Sequence, residues 1–299
     1  MIIKDEELYP FFQKIINKKL VEIVFQPIIS LETGELFANE ALTRGPKNSA
    51  FSSPLTLFKY AETTGHLYSL EKMTRELAIE RSKQISNKDN KLFININASV
   101  IEDPSFTPGN TISFLKQFGI SPSDIVFEIT ERTAISDFEK FTSVLEHYRN
   151  QGFLIAIDDA GAGYSSLQAI SELEPDFIKI DRSLITNVNN NKIKANIVEA
   201  FTYFTNKSDS KIIAEGIETK EELDFLVNLG VNYGQGFFIA HPKSGKQEIN
   251  HEIKESCITL RQKQIIEGRQ HFVQPTDIIV VKKNHTIFGT YRADLPLNC

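Results

Sequence analysis

Between about residue 21 and residue 240 the chain alternates short apolar runs with longer amphipathic ones. The short runs VEIVFQPII, KLFININA, DIVFEIT, FLIAIDD, DFIKID, KIIAEGI and YGQGFFIA are rich in Val, Ile and Phe. Several are continuous rather than alternating, the pattern of strands buried on both faces. Helical segments such as SLEKMTRELAIERSKQI, DFEKFTSVLEHYR and TKEELDFLVNLG lie between them. In the last of these Thr219 and Glu222 have capping-box spacing, and Gly230 supplies a stop. Strands and helices alternating in this way imply parallel strands joined by crossover helices, hence an α/β barrel or an open doubly wound sheet. The stretch GELFANEALTR follows VEIVFQPII after a short SLETG turn, which predicts a hairpin and so one antiparallel strand.

Beyond Pro242 the pattern changes. Residues 246–269 read as one polar helix carrying Ile249, Ile253, Cys257 and Leu260 on a single stripe. Two short strands, DIIVV and TIFGTY, follow around KKNH. The chain therefore divides into a main unit over 1–242 and a C-terminal extension over 243–299, the latter short for an independent domain. A single amphipathic helix of this kind is expected to lie against the main unit.

Composition narrows the function. The formal net charge is −6, from 39 acidic and 33 basic residues, which argues against binding a long nucleic acid. A small phosphodiester ligand stays open, because bound divalent cations reverse the sign of an acidic pocket. Cys257 and Cys299 lie far apart and outside any metal-type spacing, so a reducing cytoplasm is expected. The N-terminus is acidic too early and apolar too briefly for a signal peptide, and no apolar stretch is long enough to span a bilayer. The expectation is a soluble, cytoplasmic chain without membrane insertion.

In an α/β barrel, chemistry sits at the C-terminal ends of the strands. Those ends repeatedly carry one chemical type here: Glu40, Asn97, Glu128, Asp158 with Asp159, Lys179 near Asp181, Glu215 with Glu218, and Gln235. Singly, each is more often a helix-terminal charge or a solvated loop residue than a ligand. Converging on one barrel mouth, so many carboxylates would repel one another and raise their own pKa values. Hard divalent cations remove that conflict, and oxygen donors without His or Cys suit Mg²⁺ or Mn²⁺ over zinc. Adjacent Asp158 and Asp159 are suited to serving two ions. From the residues alone the reading stops at a metal-dependent barrel enzyme acting on phosphate esters or enolisable acids.

An ordered set of motifs carries the reading further. Glu40-Ala41-Leu42 with Arg44 behind it stands among FQPII (Gln26), NINAS (Asn97, Ser99), EITE (Glu128, Glu131), DDAGAGYSSL (Asp158 onward), KID (Lys179), AEGIET (Glu215, Glu218) and GQGFFIAHP (Gln235). In order and spacing, over roughly residues 20–242, this set resembles the EAL-domain cyclic-di-GMP phosphodiesterases. The resemblance implies a TIM-like (β/α)8 barrel with an antiparallel first strand, and metal-dependent hydrolysis of cyclic di-GMP to linear pGpG. It implies that Glu40, Asn97, Glu128 and Asp158 hold one ion and that Asp158, Asp159 and Glu215 hold a second. Lys179 with Glu215 would position or activate the attacking water, leaving open which is the general base. Gln26, Arg44 and Gln235 would line or position substrate, and Glu131 and Glu218 would support the loop carrying GAGYSS. Mg²⁺ or Mn²⁺ would serve, and Ca²⁺ would inhibit. The family commonly pairs through helices near that loop, so a homodimer is expected. No GG(D/E)EF segment is present, so synthesis of the dinucleotide is not expected.

Two positions depart from the family pattern. The usual DDFG reads DDAG, with Ala160 in place of an aromatic, and Thr43 and Gly45 occupy the stretch where an aromatic follows EALLR. Altered activity or regulation is expected from Ala160. The competing function is a receptor that binds cyclic di-GMP or a protein partner without turnover, the route of members that lose metal ligands. None is missing here.

Overall fold

The apolar runs become strands that close on themselves. In the computed structural model, residues 5–85, 90–97, 100, 103, 109–130, 138–161, 166–272, 278–283 and 286–292 are described. A closed barrel forms in sequence order from β1 (Glu22–Ser30), β2 (Leu36–Arg44), β3 (Lys91–Asn95), β4 (Ile125–Thr130), β5 (Leu154–Ala160), β6 (Phe177–Ile180), β7 (Lys211–Ala214) and β8 (Tyr233–Gly234). Closure decides against the open doubly wound sheet. β1 runs antiparallel to both β2 and β8, and every other neighbouring pair is parallel. The β1–β2 hairpin turns where expected, with Gly34 donating its N–H to the Ser30 carbonyl at 2.8 Å.

The surrounding helices are α1 (Asp5–Asn17), α2 (Pro54–Thr63), α3 (Leu67–Ser82), α4 (Asn110–Phe118), α5 (Phe138–Asn150), α6 (Ser166–Leu173), α7 (Arg182–Ile185), α8 (Lys192–Thr205), α9 (Lys220–Leu229) and α10 (His251–Phe272). The predicted capping box is present in α9: Thr219 accepts from the Glu222 N–H, Glu222 returns the bond, and Gly230 closes the helix at φ 85°. One large apolar core lies between the barrel wall and this helical shell.

A second, smaller apolar cluster fills the barrel interior: Ile28, Ala38, Phe93, Val126, Ala156, Phe177 and Ile213. Each comes from a different strand, and together they plug the lower half of the barrel. Strand side chains alternate between faces, so the next residues toward the mouth on these same inward faces follow from the sequence. They are Gln26, Glu40, Asn95, Glu128, Asp158, Lys179 and Glu215, with Gln235 just past β8. An apolar floor therefore carries a polar tier above it, with one residue from each of β1 to β6 and the residues just past β7 and β8.

Two expectations need correction. The run YGQGFFIA predicts a full strand, but β8 spans only Tyr233–Gly234. At Gly236 the chain turns against the backbone of Ile217, where an added Cβ would meet the Ile217 oxygen at 2.1 Å. Bonds from Ile217 N to Gln235 O and from Phe238 N to Ile217 O fasten that turn in place of a ladder. The C-terminal helix begins at His251 rather than 246, because the Asn250 side chain caps it by accepting from the Glu252 N–H at 3.0 Å. Its stripe does lie against the main body, with Ile249, Ile253 and Cys257 buried. Burial pushes the Cys257 thiol up to about 11, with Asp224 adding to the rise. The two tail strands pair as an antiparallel hairpin, β9 (Ile278–Lys283) with β10 (Thr286–Arg292). Among the described residues no helix is long and apolar enough to cross a membrane.

Candidate active site

The polar tier converges on one ammonium group. Lys179 is 1% exposed and its Nζ lies 2.5 Å from Glu128 Oε1, 2.7 Å from Glu215 Oε1, 3.0 Å from Asp158 Oδ1 and 3.7 Å from Glu40 Oε2. Gln235, itself buried, donates from Nε2 to Glu40 Oε2 at 2.7 Å. Asn95 bridges two acids, donating from Nδ2 to Glu128 Oε2 at 2.8 Å and to Glu40 Oε1 at 3.3 Å. Gln26 borders the same cavity and donates from Nε2 to the Ala240 carbonyl.

Asp159 joins this group by a local irregularity. In a regular strand adjacent residues face opposite sides, so Asp158 and Asp159 could not both reach one centre. The β5–β6 register shifts between Ile157 and Ala160, and Asp159 adopts φ 59°, a left-handed conformation that Asp tolerates better than most residues. Carboxylate oxygens of Asp158, Asp159 and Glu215 thereby lie within 4.8 Å of one another. An oxygen-only donor set of this size fits a hard divalent cation such as Mg²⁺ or Mn²⁺.

This arrangement of residues is matched by a family model, the EAL domain, over residues 11–242. The chain belongs to the EAL domain family. It is 30% identical over 234 residues to the probable cyclic di-GMP phosphodiesterase PdeG of Escherichia coli, covering 77% of this chain and 46% of that protein. Among solved structures, BlrP1 of Klebsiella pneumoniae, in calcium/cy-diGMP and manganese/cy-diGMP complexes, superposes with a TM-score of 0.71 at 28% identity over 77% of this chain and 58% of that one. The c-di-GMP-bound form of a standalone EAL protein from Vibrio cholerae gives a TM-score of 0.67 at 27% identity, covering 78% of this chain and 97% of that one. The chain thus spans less than half the length of PdeG and of other curated relatives that it matches.

Electrostatics in the EAL domain follow from four buried or half-buried acids around one cation. Burial, then Glu40, raises Glu128 well above the ordinary carboxylate range, with Asp158 adding to the rise and Lys179 opposing it. Burial likewise brings Glu215 to about 8 despite Lys179, with Asp158 and Glu40 adding to the rise. Burial works to lower Lys179, but Asp158, Glu128, Glu215 and Glu40 outweigh it and leave the amine well above its usual value. In this arrangement Lys179 is a fixed positive charge. The tier gathers more acids than one lysine can pair, a donor set that suits a divalent cation.

The remaining expected residues fall outside the tier. Arg44 and Asn97 border a neighbouring cavity of about 450 Å³, largely apolar and set between β2, β3, α2 and α3. The cavity over Lys179 is smaller, about 260 Å³, and far more polar. Their walls meet where Asn95, lining the first, donates to Glu40, lining the second, at 3.3 Å. Glu218 borders the Lys179 cavity and pairs with Arg182 at 2.7 Å. Glu131, Ser99, Ser165 and most of the GAGYSS loop lie outside the described residues. Ala160, the departure from the family pattern, is fully buried, and its carbonyl accepts from the Asp181 N–H at 3.1 Å. Sequence reasoning passed over Asn95, although strand alternation from Phe93 to Asn95 carries the signal.

Proposed function

We propose that this EAL domain hydrolyses one phosphodiester bond of cyclic di-GMP, giving linear pGpG, and that it requires two Mg²⁺ or Mn²⁺ ions. The observation carrying this reading is the polar tier: acids from β2, β4, β5 and β7 around a single buried lysine, with three carboxylates at one locus. Bound cations would acidify the attacking water and stabilise charge developing on phosphate. Glu40, Glu128 and Asp158 would hold one ion, with Asn95 in place of the expected Asn97 because its amide lies against both glutamates, and Asp158, Asp159 and Glu215 would hold the other. Lys179 would hold the attacking water by its charge, because four acids keep the amine protonated. Glu215, 2.7 Å from Lys179 Nζ at the same cavity, would help Lys179 position that water. Gln235 orients Glu40 through its amide. Arg44 is placed to meet a ligand entering the adjoining cavity, and Gln26 borders the Lys179 cavity. Glu218, held by Arg182, would support the loop after Gly161.

A homodimer is part of the same reading, supported by α8. That helix follows the KID segment and leaves Ile193 and Tyr203 exposed at 73% and 67%, with Ile197 and Phe204 partly exposed beside them. A reducing cytoplasm suits the buried free thiol of Cys257. Ala160 favours one alternative, a receptor without turnover, because it removes an aromatic from the segment that follows Asp159.

The test is to incubate the purified chain with cyclic di-GMP under Mg²⁺, Mn²⁺ or Ca²⁺ and separate the products chromatographically. Formation of pGpG with the first two ions and suppression by calcium is the expected result, since calcium prefers higher coordination and looser geometry. Tight binding with the dinucleotide recovered intact would establish the receptor instead.

A further inference from the structure

Among the described residues, two cations border the polar cavity at the barrel mouth, Lys179 and Arg182. Their situations are opposite. Lys179 is 1% exposed with four carboxylates within 3.7 Å, so its charge is taken up by the tier. The Arg182 side chain is 59% exposed and pairs with Glu218 through Nη2 at 2.7 Å. A guanidinium carries five N–H donors, so one carboxylate contact leaves others for a ligand.

An exposed ion pair is a weak source of stability, yet the surrounding backbone is shaped to hold this one. The stem of Arg182 crosses Gly216, where a Cβ would stand 2.4 Å from Arg182 Cγ, 2.7 Å from its Cβ and 2.9 Å from its Cδ. Gly216 has φ 69°, so the segment between Glu215 and Glu218 both turns and leaves room for that stem. Glu218 is fixed in its turn, its N–H donating to the buried Glu222 carboxylate at 2.9 Å. At the end of β6 the Asp181 N–H is bound to the Ala160 carbonyl, and the Asp181 side chain accepts from the Ser183 N–H at 2.9 Å. Those bonds set the point from which Arg182 leaves the strand.

Charge decides what such a group meets. The cavity is otherwise lined by acids and amides, and its acids repel an approaching phosphodiester. A cyclic dinucleotide carries two phosphodiesters. Ions held by Asp158, Asp159 and Glu215 would take the one that is cleaved. The other phosphate is also an anion and needs a cation outside the tier. Arg44 borders the neighbouring cavity, which leaves Arg182 as the exposed cation of this one.

We propose that Arg182 is a substrate-binding residue that receives the non-scissile phosphate of the cyclic dinucleotide, with Glu218 and Gly216 fixing the guanidinium for it. This rests on the phosphodiesterase reading above.

The experiment is calorimetric binding of cyclic di-GMP to the full chain in Ca²⁺, with a Mn²⁺ titration of each variant in the absence of nucleotide and circular dichroism to confirm folding. Arg182→Gln should weaken cyclic di-GMP by roughly 10- to 100-fold, the range for a lost hydrogen bond to a charged group. It should not weaken manganese binding, which damage to the segment carrying Glu215 would do. Arg182→Lys keeps the charge without the planar fork, and its affinity should fall between those of wild type and Arg182→Gln. The linear dinucleotide GpG has a single phosphodiester, which goes to the ions, so it should compete equally well for wild type and Arg182→Gln.

Cyclic di-GMP affinity unchanged by Arg182→Gln overturns the proposal. Weaker manganese binding in that variant, or an equal loss for GpG, overturns it too. In each of these cases the wild type still binds the cyclic dinucleotide, and the phosphodiesterase reading stands. A wild-type chain that binds no cyclic di-GMP overturns that reading and this proposal with it.

Discussion

Replacing Lys179 by Met removes the one cation that, among the described residues, pairs with Glu40, Glu128, Asp158 and Glu215, and keeps most of the side-chain volume. At 2.5 to 3.7 Å each contact has a gross Coulomb energy of roughly 4–7 kcal/mol for an effective dielectric near 20. Repulsion among the acids and desolvation of the lysine offset most of that sum. Breaking a buried pair by removing one partner costs about 3–5 kcal/mol net. For a domain of this size that corresponds to a loss of about 6–20 °C in melting temperature. Glu128 and Glu215 already titrate above their ordinary range. Both proteins therefore lose stability as pH rises from the unfolded carboxylate value toward these raised values, and the deficit of the variant, whose acids lack the opposing lysine, widens above the wild-type Glu215 value of about 8. Manganese at about 100 times its dissociation constant stabilises by about 2.7 kcal/mol. It should stabilise the variant more than the wild type, because it meets unneutralised carboxylates. Differential scanning calorimetry of both proteins in chelator and in Mn²⁺, at two pH values, reads all of this. Equal melting in chelator, or the same manganese increment in both proteins, would refute the charge argument. Loss of pGpG formation in the variant, by about 10²-fold or more, is expected alongside.

Two further outcomes are expected. Asn95→Leu removes the amide that ties Glu40 to Glu128, and should lower manganese affinity by about 10-fold in a calorimetric titration of the metal-stripped chain, with a normal circular dichroism spectrum. Ile193→Lys with Phe204→Lys on α8 should convert the dimer to a monomer by light scattering, and an unchanged mass would remove α8 from the interface.

Much of this arrangement is legible in the sequence because one rule, side-chain alternation, links the apolar floor to the polar tier. Glu40, Glu128, Asp158, Lys179 and Glu215 each lie two positions beyond an apolar residue of the barrel interior: Ala38, Val126, Ala156, Phe177 and Ile213. The same rule gives Asn95 from Phe93, yet the NINAS motif drew attention to Asn97 instead. Asp159 breaks the rule, and only the β5 irregularity explains how both aspartates face one centre. The overshoot at β8 has a similar origin: an apolar run records burial, and FFIA is partly buried as a turn. α1 went unread because Pro10 interrupts its pattern, although Phe12 and Ile15 are fully buried. Nothing in the spacing of α3 announces that Glu71 accepts the Asn97 backbone N–H across 26 positions.

The reversed direction of β1 has a mechanical consequence. In a barrel of wholly parallel strands the polypeptide enters at the end away from the chemistry. Here Glu22 pairs with Arg44, so the chain enters at the catalytic rim and runs downward. α1 is held at that rim, with Phe12 packed against Phe51 and Tyr60. Lys243, where the main unit passes into the tail, also pairs its backbone with Phe25, the immediate neighbour of Gln26. The incoming helix is therefore anchored at the rim, and the outgoing segment is fastened to the first strand one residue from Gln26, so both ends of the main unit meet the face that carries the polar tier.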